Sequence, residues 1–194
     1  MTPTFLMNEN KNIFFRKGIH LISGYIFIWI SSYEGIAIHI LGSMAFLTLL
    51  IDLSRLRINK LNTLILSTFG PLFKPVERRE QLTGASTLWI GLYFIYLIFP
   101  AEIFTPAAWI MILSDGMAAV LGRIVPIHKF QNDKSIGGTI TFFICTLLIL
   151  QYANIPLIPS LLMAIILSAI EFFWKGSLEN IVIGLTGSIL LFVF

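Results

Sequence analysis

The chain reads as a succession of apolar blocks separated by short polar stretches. Seven blocks are expected to be spanning helices: 17–33, 35–53, 84–100, 103–122, 137–153, 156–173 and 178–194. A helix that crosses a bilayer needs roughly 20 mostly apolar residues, and about 17 is the short limit. The run 59–74 is also apolar, but Gly70 and Pro71 break it. It is expected to lie as an interfacial helix and not to cross. The expected fold class is therefore all-α, a polytopic integral membrane protein with about seven transmembrane helices, in a single domain over 1–194.

Composition agrees with that pattern. Hydrophobic residues make up 57% of the 194 residues and charged ones 12%, and the mean hydropathy is +0.89. A soluble domain of this size needs more polar surface than this, so lipid is the expected solvent for much of it. A net charge of +3 is too modest to suggest a nucleic-acid partner. Cys145 is the single cysteine, which rules out a disulfide within the chain and a cysteine metal cluster. Lys11, Arg16 and Lys17 before the first apolar run imitate a signal peptide. No small-residue cleavage pattern follows, so the run is read as a retained helix.

The charges set the orientation. With the N-terminus inside, the inner segments are 1–17, 54–83, 123–136 and 174–178, and they hold all thirteen Lys and Arg residues. The outer loops keep only Glu34 and Glu102. Such a bias is what the positive-inside rule describes. The N-terminus is expected in the cytoplasm and the C-terminus opposite, in a bacterial inner membrane.

The candidate chemistry gathers at the inner face. Asp115 lies within the fourth segment, where an acid is costly and by default functional. Its spacing of eight from Arg123 puts both on one helical face. Gly116 and Gly122 slim this helix end, so a second helix or a phosphate can approach the backbone. Arg123, His128, Lys129 and Lys134 then supply cations, and Ser135, Gly137 and Gly138 open the next helix, whose N–H groups suit an anion. A carboxylate for a divalent cation, several cations and a glycine-rich helix start are parts of a phosphoryl-transfer site. Glu171 near a helix C-terminus opposes the dipole and calls for a cation or metal. For Asp52 the spacing suggests a local pair with Arg55, and His20 reads equally as an interfacial residue or a site residue. No P-loop, protein-kinase signature or H-E-x-x-H zinc helix is present.

Together these blocks resemble the CTP-dependent lipid-alcohol kinases, the family of dolichol kinase, phytol kinase and the eukaryotic type of diacylglycerol kinase. The resemblance rests on Ser114-Asp115-Gly116, Gly122-Arg123 and Lys134-Ser135-Ile136-Gly137-Gly138 with Phe142. It extends to Arg16-Lys17-Gly18-Ile19-His20, to Asp52 through Arg57, to Glu77 through Ala85, and to Glu171 with Glu179-Asn180. Glu179 stands where the family has aspartate. The resemblance implies phosphoryl transfer from CTP to a membrane lipid alcohol with Mg2+. It implies that Asp115, Arg123, Lys134, Ser135 and Gly138 serve nucleotide and metal, and that Arg16, His20, Glu80 (or Glu77), Glu171 and Asn180 complete the site. Lys129 and Gly137 fall in the same nucleotide stretch. Asp115 or Glu171 is the expected base, and His20 joins them in the catalytic group. A distant similarity to phosphatidate cytidylyltransferase leaves cytidylyl transfer as an alternative, although that family's characteristic ending is absent. A small transporter or a non-catalytic membrane scaffold is the third reading, and polar residues gathered at one face speak against a transporter.

Overall fold

The computed structural model describes residues 3–33, 35–125, 127–128, 134–174 and 176–194, with side chains from residue 12 onward. The described residues form α1 (Pro3–Ser31), α2 (Ala37–Arg57), α3 (Asn59–Phe69), α4 (Gly84–Ile98), α5 (Ala101–Trp109), α6 (Asp115–Ile124), α7 (Ile136–Tyr152), α8 (Leu157–Phe173) and α9 (Glu179–Val193). Among them there is no strand. The fold is all-helical, as expected from the block pattern.

Among the described residues, three stretches are long and apolar enough to cross a membrane: Asn12–Ser31, Ala37–Arg57 and Ala101–Ile124. The other apolar helices, α4, α7, α8 and α9, have 15 to 17 residues. At about 1.5 Å per residue they reach roughly 23–26 Å, short of a hydrocarbon core of about 30 Å. Large apolar side chains cover the outside of the bundle, including Trp29, Phe46, Leu148, Ile158 and Phe192. Such an exterior suits a lipid surround and would be an aggregation hazard in water.

Several helices differ from their expected bounds: α2 runs to Arg57, four residues past 53, and α3 stops at Phe69. Helix α1 starts at Pro3, well before the apolar block at 17, because its polar first half contains no breaker after the proline. Hydropathy marks the apolar part of a helix, and helices run past it wherever the backbone allows. The fourth block is one continuous rod, Ala101–Ile124, with a π-helical turn at Ile110–Ser114. Single π-turns inside α-helices often mark functional sites, and this one ends where Asp115 begins.

The rod is the centre of the bundle. Helix α6 packs on α1 and α7, α5 on α9, and α7 on α8, while α4 joins α2 to α9. Phe27 of α1 stacks against Trp89 of α4 and Phe104 of α5 at ring distances of 5.4 and 6.0 Å. The crossing of α6 and α7 is the tightest. A Cβ on Gly122 would lie 2.8 Å from the Gly138 Cα, and one on Gly137 would lie 2.2 Å from the Val125 carbonyl oxygen. Both obstacles are backbone and cannot rotate away. Replacing Gly122 with valine is therefore expected to cost about 1–3 kcal/mol or more through overpacking. A lower melting temperature in detergent would register it, and an unchanged one would mean the two helices can separate freely.

Candidate functional site

Several of the candidate side chains, among them Arg16, His20, Asp115 and Asn180, line a cavity of about 630 Å3. Its walls come from α1, α2, α3, the turns at 70–77, the starts of α4 and α9, and Asp115 on α6. Ile51, Leu61, Ile65, Phe69, Leu72 and Trp89 give it an apolar surface. Arg16, Lys17, His20, Lys74, Asp115, Glu179 and Asn180 give it a charged one. A ligand with a polar head and a hydrocarbon body matches both surfaces.

Asp115 is buried and faces this cavity. Its partner is not Arg123, the cation on its own helical face, but Lys17 of α1, which forms an ion pair with it. His20, one turn further along α1, places Nε2 3.5 Å from the Asp115 carboxylate and 3.3 Å from the Met111 carbonyl oxygen in the π-turn. Gly116 lets α1 approach here: a Cβ on it would lie 2.7 Å from the Leu21 side chain. The slim helix end thus receives a helix and not a phosphate.

A second ionic group lies beside the first. Lys134 donates to Glu171 at 2.6 Å and also pairs with Glu179. The cation required by Glu171 near the end of α8 is therefore Lys134. Burial alone would lower the Lys134 pKa, but the Glu179 and Glu171 carboxylates outweigh it and raise it above the ordinary lysine value. A raised pKa means the stabilisation is complete below about pH 10 and is lost as pH climbs through the folded value. Thr139 lies 3.5 Å from Glu171. Asn180 ties α9 to α4, donating to the Gly84 carbonyl and Thr87 hydroxyl at 3.2 Å each.

The third group is a clamp. Asp52 and Arg55 form the expected local pair at 2.6 Å, and both are almost wholly buried. Arg55 also donates to the carbonyls of Glu77 and Gln81 at 2.7 and 2.8 Å, and its guanidinium lies 4.9 Å from the Phe73 ring centre. Asp52 accepts from the Thr83 N–H at 2.7 Å and its hydroxyl at 2.9 Å. Buried Glu77 accepts from the N–H groups of Lys74 and Gly84 at 2.8 and 3.2 Å. Together these bonds fix the irregular segment 70–84 against α2 and α4.

The remaining candidates are placed differently. Ser135 caps α7, its hydroxyl accepting from the Gly138 N–H at 3.1 Å and donating to the Gly122 carbonyl at 2.9 Å. With Gly137 and Gly138 packed on the α6 backbone, this helix start is filled by protein. Arg123 is half-buried at the end of α6 and does not line the cavity. Glu80 is exposed and also outside the cavity wall, whereas Glu77 belongs to it. Lys129 lies outside the described residues. Sequence reasoning passed over Lys17 as a topology mark and did not single out Lys74. Lys17 stands in the opening block beside Arg16; nothing in the local sequence distinguishes Lys74.

Among the described residues no three His, Cys, Asp or Glu side chains converge as a metal cage. Mg2+ in nucleotide enzymes is usually held by one or two carboxylates together with substrate phosphates. Asp115 and Glu179 both line the cavity, each already paired with a lysine.

No family model matches the chain. An uncharacterized protein of Rickettsia prowazekii is 27% identical over 183 residues, covering 90% of this chain and 87% of that protein. No solved structure matches.

Lys134 offers a direct test of the second ionic group. Lys134→Met leaves Glu171 and Glu179 facing each other without their cation. Breaking a buried pair from one side costs roughly 3–5 kcal/mol, and partial exposure of Lys134 points to the lower end. Thermal unfolding should show the loss, and adding Glu171→Gln should restore part of it. A neutral single variant would mean the carboxylates are solvated.

Proposed function

We propose that the chain is a CTP-dependent lipid kinase, which phosphorylates a membrane lipid alcohol such as a polyprenol, a phytol-like alcohol or a diacylglycerol. The observation that carries this reading is the cavity at Asp115, charged on one surface and apolar on the other. The family resemblance in the sequence supplies the nucleotide and the class of acceptor.

The proposed arrangement has seven spans, with the four shorter apolar helices crossing alongside the three long ones. The N-terminus and the charged loops face the cytoplasm. The lipid hydroxyl enters from the inner leaflet, its chain lying along Ile51, Leu61, Ile65 and Phe69. Transfer forms a bond from the lipid oxygen to the terminal phosphorus and breaks that phosphorus's bond to the bridging oxygen, releasing CDP. The hydroxyl proton passes to a carboxylate. Asp115 faces the cavity and Glu171 does not, which favours Asp115 as the acceptor. His20 orients the hydroxyl beside it, and Lys17 offsets the carboxylate charge until substrate arrives. A divalent metal, held by Asp115 and Glu179 with the phosphates, would neutralise developing charge on the transferred group. Release of pyrophosphate in place of CDP would instead identify cytidylyl transfer.

Three measurements test this reading. Purified protein supplied with lipid alcohols should prefer CTP to ATP, and equal turnover with both would remove the main support for the nucleotide. Asp115→Asn should lower activity by about a hundredfold or more, as loss of one electrostatic element of a transition state does. It also leaves Lys17 without its acid, so the melting temperature should fall, and adding Lys17→Met should restore part of it; a variant that stays active would contradict the mechanism. For topology, single cysteines at Arg78 and Glu102, in a background with Cys145 replaced by serine, should label from opposite sides. Labelling from one side would sink the seven-span arrangement.

A further inference from the structure

The charged groups of the cavity differ in whether they are already engaged. All four carboxylates that face it have partners: Asp52 and Glu77 hold the clamp, Asp115 pairs with Lys17, and Glu179 with Lys134. Arg55 is already engaged by Asp52 and two carbonyls. Arg16 and Lys74 are the exceptions. Both line the cavity, one from α1 and one from the 70–77 turns, and among the described residues neither side chain has a hydrogen bond or ion pair.

Arg16 and Lys74 thus share one cavity with donors to spare. The Lys74 pKa is lowered first by burial, and Lys17 and Arg16 lower it further, while Glu179 and Glu77 act in the opposite sense. Lys74 cannot drift away from this position. Its own N–H is bound to Glu77, and the clamp anchors the chain on either side of it. Holding two half-buried cations together without a protein acceptor is unfavourable unless a ligand supplies the acceptors. Two cations converging from different elements suit the oxygens of a phosphate chain, with Arg able to engage two oxygens at once.

Building on the proposed kinase reading, we infer that Arg16 and Lys74 form the phosphate-binding site of the cavity, in place of the glycine-rich start of α7. The ligand is a phosphate-bearing group, either the polyphosphate of the nucleotide or the headgroup of an acidic lipid. The α7 start is unsuited to it, because Ser135 and the α6 backbone already fill that position. The Gly137 and Gly138 pair then serves helix packing, and the phosphates lie across the cavity near Asp115.

The test uses the whole protein in nanodiscs, with Mg2+ tripolyphosphate as the probe in a calorimetric titration. Arg16→Gln and Lys74→Gln should each weaken binding about tenfold or more, while Lys74→Arg recovers most of the loss. Lys60→Gln, on the exposed α3 surface outside the cavity, serves as the control and should bind as the parent does. Melting temperatures confirm that each variant is folded, and Lys74→Arg carries the comparison if the glutamine variants fail. A second arm repeats the titration in discs containing phosphatidate. Competition there names the lipid headgroup as a source of the same chemistry, and its absence names the nucleotide. Failure of the parent to bind tripolyphosphate, or parent-like binding by both glutamine variants, would overturn the site. CTP-dependent turnover that persists in both glutamine variants at unchanged KM would reject the site and leave the kinase reading standing. Binding that depends on Lys74 without any turnover would do the reverse.

Discussion

Carboxylates placed within or at the ends of apolar helices have to find cations, and the bundle is arranged around how they do so. Asp115 sits in the central rod, where water is scarce and an unpaired charge costs several kcal/mol. Lys17 meets that need from α1, and the meeting fixes how α1 lies on α6. Lys134 does the same for α8 and α9 through Glu171 and Glu179. A buried pair adds little net stability over an apolar contact of the same shape, but breaking it from one side is expensive. The pairs thus set which helices are neighbours more than they set how stable the bundle is.

The clamp on residues 70–84 follows from the same scarcity of water, applied to backbone. Irregular chain near a membrane survives only where protein satisfies its N–H and carbonyl groups. Arg55 and Glu77 do this almost entirely with main-chain partners: two carbonyls on one side, two N–H groups on the other. A charged block that reads in the sequence as a cytoplasmic marker is therefore a structural fastener. It also holds one wall of the cavity at a fixed distance from α1.

The sequence made the helices legible because lipid-facing segments leave a hydropathy signal that needs no knowledge of neighbours. The blocks at 137–153, 156–173 and 178–194 fall within a residue or so of α7, α8 and α9. The local pair of Asp52 with Arg55 was legible for the same reason, since a spacing of three fixes it on any helix. Partners across helices were not. The face shared by Asp115 and Arg123 is real helical geometry, yet the approach of α1 at Gly116 brings Lys17 and His20 closer. Gly137 and Gly138 carry the same ambiguity. Glycine admits a phosphate or a helix backbone equally well, and the close approach of α6 to α7 at these two positions is visible only in the fold. The π-turn at 110–114 left no mark in composition at all.

The division among the cations is what gives the cavity its chemical direction. If every Lys and Arg at this face were paired, the cavity would be a neutral, closed polar plug. If none were, Asp115 could not be held at its depth. Lys17 and Lys134 are committed to carboxylates, Arg55 to backbone, while Arg16 and Lys74 face the cavity with donors to spare. A phosphate ligand drawn to those two would lie against the Asp115 carboxylate, whose repulsion it would feel unless a divalent cation came with it. On the proposed kinase reading, a divalent cation arriving with the phosphates would offset that repulsion. Apolar residues of α2, α3 and the 70–77 turns line the same cavity, so on the proposed reading they would take the hydrocarbon part of a second ligand. Two ligands of opposite polarity would then touch only where the acid stands.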